Sequence, residues 1–112
     1  MSPKFELIFL EEARTFLANL DKKTQRKVIY NLDKARFTLD PELFKKLTND
    51  VWEFRTRFNK QQIRMLAFWD KRDGKNTLVI ITHGIVKKQG KVPAKEIEKA
   101  ARLKEKYFSQ NN

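Results

Sequence analysis

Between Trp52 and Arg57 charged residues alternate with bulky ones: Trp52-Glu53-Phe54-Arg55-Thr56-Arg57. On a strand this sends Trp52 and Phe54 to one side and Glu53, Arg55 and Arg57 to the other. If the polar stretch Asn59 to Gln62 closes a tight hairpin, Phe58 falls opposite Ile63 and Arg57 opposite Arg64, with Arg55 diagonal to it. Three guanidinium groups then share one sheet face. Like charges across a sheet cost stability, so such a cluster is either well solvated or kept to hold an anion. Planar guanidinium forks bind phosphate bidentately, which is the geometry an RNA site would use.

Around that cluster stand several candidates for proton transfer or anion binding. Glu53 reads equally as a general base or as the ion-pair partner of Arg55 or Arg57. His83, the one histidine, belongs to an apolar strand whose register the sequence does not fix; it fits a hydrogen-bonded structural residue, a catalytic group assisting the departing oxygen or an RNA contact. Lys87, Lys88 and Lys91 form a basic loop ahead of a helix start, either a solvated connection or an anion site. Phe68 and Trp69 offer a stacking surface for a base, but one of them must enter the core, and Trp69 is the better core candidate.

The elements that must position these residues follow from periodicity. Phe5 to Leu10 reads as a strand. Ala13, Phe16, Leu17 and Leu20 recur at helical spacing, and after Asp21, an N-cap, Val28, Ile29, Leu32 and Ala35 repeat the pattern, giving an antiparallel helical hairpin. Asp40-Pro41 supplies a turn, and Leu43, Phe44 and Leu47 suggest at most a short helix. Val51 to Phe58, Ile63 to Asp70 and Thr77 to Lys87 are strand-like runs in an antiparallel meander, the last apolar on both faces as a covered or central strand would be. Pro93 opens a helix with Ile97, Ala100, Ala101, Lys104 and Phe108 on one face. The expectation is an α+β fold, one domain over residues 1–112, with an antiparallel-rich sheet, an N-terminal helical hairpin and a C-terminal helix.

Composition narrows the partners. Twenty-five Lys and Arg against fourteen Asp and Glu leave a formal charge of +11 on 112 residues, which favours nucleic acid, the ribosome, an anionic membrane or an acidic protein. Nine Phe and two Trp argue against a disordered basic tail. Without cysteine there is neither a disulfide framework nor a Cys-based metal site or nucleophile. No apolar run of about 18 residues is present, so a membrane span is not expected, and the cytoplasm fits.

Taken together, Trp52-Glu53-Phe54-Arg55, Ile63-Arg64-Met65-Leu66-Ala67-Phe68-Trp69-Asp70, the run from Thr82 to Pro93, and Glu96-Ile97-Glu98-Lys99-Ala100 resemble the phage-derived HigB branch of the RelE/ParE toxin superfamily. The resemblance is carried by the C-terminal half, and the N-terminal hairpin fits the same architecture. It implies a RelE-like fold and a type II toxin that cleaves messenger RNA in the 30S decoding site, inhibits translation and is neutralised by a helix-turn-helix antitoxin. Arg55 matches the arginine ending the second-strand motif, and Arg64 the third-strand arginine that contacts the scissile phosphate. Lys87 and Lys88 fall in the basic segment after the last strand. Glu53 occupies a position where some relatives carry a catalytic acid and others a lysine. Ile63 departs from the usual aromatic, and the C-terminal catalytic tyrosine of RelE itself is missing.

These assignments imply a metal-independent, cofactor-free endoribonuclease. Arg55, Arg64, Glu53 and Lys87 would be catalytic, and Arg57, Lys88, Lys91 and His83 would bind RNA. The alternatives are a ParE-like gyrase poison, which cuts nothing itself, and a non-enzymatic RNA- or ribosome-binding module using the same face.

Overall fold

Asp21 accepts a hydrogen bond from the Thr24 amide at 3.1 Å, so the start of the second helix is capped where the sequence places it. The computed structural model describes residues 2–74, 76–88 and 90–110. Its elements are β1 (Glu6–Phe9), α1 (Glu11–Ala18), α2 (Lys22–Phe37), β2 (Phe44–Lys46), β3 (Trp52–Phe58), β4 (Gln61–Asp70), β5 (Leu78–Lys87) and α3 (Ala94–Gln110). The five strands form one sheet in the order β1-β5-β4-β3-β2; the β1–β5 pair is parallel and the other three pairs are antiparallel. This is an α+β fold of the RelE-like kind.

Helices cover both sheet faces. Under α1 and α2 lies the larger core, with Leu17, Val28 and Leu32 against Phe54, Met65, Val79 and Ile81. Under α3, Leu66 and Val51 meet Ala100, flanked by Ile85 and Ile97. Phe68 is fully buried there, with the rings of Tyr107 and Phe108 at 5.3 and 5.6 Å. Trp69 packs with the opposite core. Phe68 is therefore no base-stacking platform: α3 already covers it.

Two further expectations are corrected. The segment around Phe44 is not a short helix but the edge strand β2, pairing Phe44 with Phe54 and Lys45 with Glu53. Phe44 stacks on Phe54 at 4.2 Å, an aromatic cross-strand contact that outweighs local helical spacing in so short a run. The β3–β4 register also differs. Asn59 and Lys60 both have positive φ, 52° and 64°, and close a two-residue hairpin that sets Arg55 opposite Arg64 and Arg57 opposite Gln62. A shift of two residues preserves side-chain parity, so the three arginines keep their common face.

A β-bulge decides what β5 presents. Ala67 pairs with Ile81 but Leu66 pairs with His83, leaving Thr82 as the extra residue. Before the bulge Val79 and Ile81 face α1 and α2; after it His83, Ile85 and Lys87 share the face of Arg64 and α3. Thr82 is buried, and its hydroxyl donates to the Leu66 carbonyl at 3.2 Å. At Gly84 the neighbouring element comes close: a Cβ there would stand 2.3 Å from the Phe16 ring of α1.

Candidate active site

β3, β4 and β5 bring the basic residues together on the α3 face. Glu53 and Arg64 are 5% and 3% exposed, with Arg64 Nε 3.1 Å from Glu53 Oε1 and Arg55 Nε 3.8 Å from Glu53 Oε2. The closer contact is a charge pair without hydrogen-bond alignment. Arg64 is held instead by its outer nitrogens, Nη1 donating to the Ile63 carbonyl at 3.2 Å and Nη2 to Gln62 Oε1 at 3.0 Å. Glu53 is thus partnered by Arg64 and Arg55, not by Arg57.

Above this floor opens a cleft of about 390 Å³ whose walls include Lys45, Lys46, Glu53, Arg55, Arg64, Lys87 and Lys91. Six cations and one carboxylate line it, so the cleft suits an anion larger than a single ion. α3 closes one side through Ile97, with Val92 and Gly90 from the loop before it. Lys87 reaches in from the end of β5, its ammonium donating to the Gly90 carbonyl at 2.6 Å. Burial, and then the charges of Arg64, Arg55 and Arg57, lower the Lys87 pKa from its ordinary value, with Glu53 opposing them. Burial likewise lowers Arg64, against the pull of Glu53. A lysine whose pKa is pulled down among arginines gives up its proton more readily than a free lysine, as a general base must.

The remaining candidates divide. Arg57 is exposed and lines a smaller cup with Arg55, Thr56, Arg64 and Glu42, continuous with the cleft through the two shared arginines. Lys91 is on the cleft wall, and Lys88, next to Lys87 in sequence, is exposed without being part of the lining. His83 is not brought to the cleft. It is 3% exposed beneath α3, with Nδ1 2.8 Å from the Thr82 hydroxyl and Nε2 3.1 Å from Glu96 Oε1. Burial lowers its pKa, with Glu96 pulling the other way. Tyr107 stands at the opposite end of β4, donating to Asp70 Oδ2 at 2.9 Å. Lys45 and Lys46 were missed because their segment reads as a helix; the signal available is Lys45 between Phe44 and Leu47, whose partners lie on opposite sheet faces. Among the described residues no cluster of three or more His, Asp or Glu could hold a metal ion, and no helix is long and apolar enough to cross a membrane.

A family model described as phage derived protein Gp49-like matches residues 15–105. That span runs from α1 through most of α3 and contains every residue of the cleft. No curated protein matches the chain.

Proposed function

The chain belongs to the phage-derived Gp49-like family, and from that membership and its basic cleft we propose that it is a RelE/HigB-type toxin, an endoribonuclease cutting messenger RNA on the ribosome. The observation that carries this reading is the buried Arg64, fixed beside Glu53 at the floor of a cleft ringed by Arg55, Lys87 and Lys91. Two arginines opposite one another across β3 and β4 can grip one phosphodiester through separate oxygens.

The substrate's 2′-oxygen attacks the adjacent phosphorus, and the bond from phosphorus to the 5′-oxygen breaks. Lys87 in its deprotonated form takes the 2′-hydroxyl proton, and Lys91 at the cleft wall donates a proton to the departing 5′-oxygen. The products are a 2′,3′-cyclic phosphate and a 5′-hydroxyl end, and no metal enters the chemical step. Arg55 and Arg64 stabilise the added charge on the phosphorane oxygens. Glu53 acts through Arg64, supplying the buried counter-charge beside its guanidinium. Because the nucleophile belongs to the substrate, orientation of the codon supplies much of the rate, which accounts for a requirement for the 30S decoding site. A cognate helix-turn-helix antitoxin and a cytoplasmic site of action complete the reading.

Purified protein added to translating ribosomes, with message ends mapped, tests the proposal. Cyclic-phosphate ends are expected, with Arg64→Ala slowing cleavage by about 10²–10³-fold. Ends bearing 3′-hydroxyl and 5′-phosphate would overturn the mechanism, and intact message with stalled gyrase would favour a poison of the ParE kind.

A further inference from the structure

α2 carries Lys22, Lys23, Arg26, Lys27, Lys34 and Arg36 against the single acid Asp33, so six positive charges less one negative give +5, nearly half of the +11 on the whole chain. Its buried side, with Thr24, Val28, Asn31, Leu32 and Ala35, faces the sheet from the side opposite the cleft. At 3.6 residues per turn the outer side sets Lys23, Lys27, Tyr30 and Lys34 in one row about 16 Å long, with Lys22 and Arg26 alongside. Tyr30 is 59% exposed, and the Lys27 ammonium stands 5.2 Å from its ring centre. Asp33 is engaged by Arg36 at 2.9 Å. The other five cations of the helix have no ion-pair partner among the described residues.

A helix face that serves only solubility mixes signs and gains from acid–base pairs four residues apart. Here Lys22 and Arg26, and Lys23 and Lys27, repeat like charge at that spacing, which costs helix stability. An external polyanion would offset the repulsion. We propose that the outer face of α2 is a docking surface for the sugar–phosphate backbone of double-helical RNA, separate from the cleft and on the other side of the sheet. A rigid row of cations suits the rigid phosphate rails of a duplex. An anionic bilayer fits less well, because an interfacial helix must insert its apolar side, and most of that of α2 is buried in the core, with Ile29 and Tyr30 alone exposed among its large apolar residues. This surface goes beyond the cleavage reading, since it holds structured RNA whether or not the cleft cuts.

The experiment measures affinity for an RNA duplex of about 16 base pairs, the span of a duplex-binding domain, by fluorescence anisotropy across salt. Three proteins are compared: wild type, Lys23→Gln/Lys27→Gln/Lys34→Gln, and the same three positions changed to Arg. These side chains lie on the outer row, and circular dichroism checks that the fold is retained. The Gln variant should bind at least about tenfold more weakly with a salt slope shallower by roughly two to three, while the Arg variant matches wild type. Duplex affinity within about twofold of wild type in the Gln variant would overturn the proposal. A larger loss on phosphatidylserine vesicles or polyglutamate than on the duplex would overturn it too, in favour of a membrane or an acidic protein. The assay reads binding alone, so a wild type that cuts nothing would refute the nuclease reading and leave this one standing.

Discussion

Removing the Glu53 carboxylate would leave the Arg64 guanidinium buried beside two other arginines without its counter-charge, a situation that costs about 3–5 kcal/mol. Glu53→Ala should therefore lower stability by that order in denaturant titration, while Glu53→Gln keeps the shape and isolates the electrostatic part. If Glu53 only positions Arg64, Glu53→Gln slows cleavage but leaves the pH dependence of the rate in place. Loss of the acidic limb in that variant would instead make Glu53 the base. Lys87 gives the complementary prediction. Its pKa is lowered by burial and by Arg64, so kcat/KM should rise with pH through the Lys87 ionisation at a value below that of a free lysine. Lys87→Arg, which stays protonated, should lose about 10²–10⁴-fold in rate together with that limb; a variant retaining the wild-type profile would remove Lys87 from proton transfer. Much of this site was legible in the residues themselves. The alternation around Glu53 gave the shared face because parity survives a two-residue error in register. The partners of Glu53 were legible only in part: Arg55 stood among the candidates and is found, whereas Arg64 comes beside Glu53 through the register set by the Asn59–Lys60 turn.

β5 shows why element-level detail escapes the sequence. Its bounds follow from a run of apolar and β-branched residues, yet the face of every side chain after Thr82 depends on one bulge, and no residue type announces a bulge. His83 consequently lies under α3, where it faces Glu96 and Lys99 from α3, Glu12 from α1 and Thr82 from its own strand. β2 failed for a related reason: three residues hold too little periodicity to separate strand from helix, and its identity comes from the Phe54 ring it meets. The buried imidazole makes the attachment of α3 sensitive to acid. Burial is the main cause lowering the His83 pKa, so the unfolded chain binds a proton more readily than the folded one. The stability of the neutral, buried form is then present above about pH 6.5, the ordinary imidazole value, and is lost as pH falls through the lower folded value. Thermal unfolding followed from about pH 7.5 to pH 5 should show Tm falling on acidification, less steeply in His83→Gln. Equal slopes in the two proteins would place the acid sensitivity elsewhere.

For the whole molecule the consequence of +11 is a division of charge between two sides of one sheet, the cleft on the α3 side and the α2 row on the other. Neither cluster is fully neutralised by the chain's own acids. On α2 the ion pairs are those of Arg36 with Glu6 and Asp33, and three further pairs lie outside both clusters: Arg72 with Asp70, Lys99 with Glu12 and Lys104 with Asp50. Glu53 is the exception inside the cleft, and it is shared between two arginines. A single-stranded RNA short enough to occupy the cleft alone should therefore bind mainly through counterion release. Each phosphate neutralised contributes roughly 0.7 to the fall of log K with log salt for single strands. If all six cleft cations engage, the slope is about −4. Arg55→Ala should make it shallower by about 0.7, and so should Lys45→Ala, since β2 places that lysine opposite Glu53 on the cleft side. Lys23→Gln on α2 should leave the slope for the short strand unchanged. Anisotropy titrations at several salt concentrations decide the matter: a slope near zero would mean that the cleft recognises something other than a phosphate backbone, and equal effects from Lys23→Gln and Arg55→Ala would mean that the two sides of the sheet act as one diffuse field instead of as separate sites.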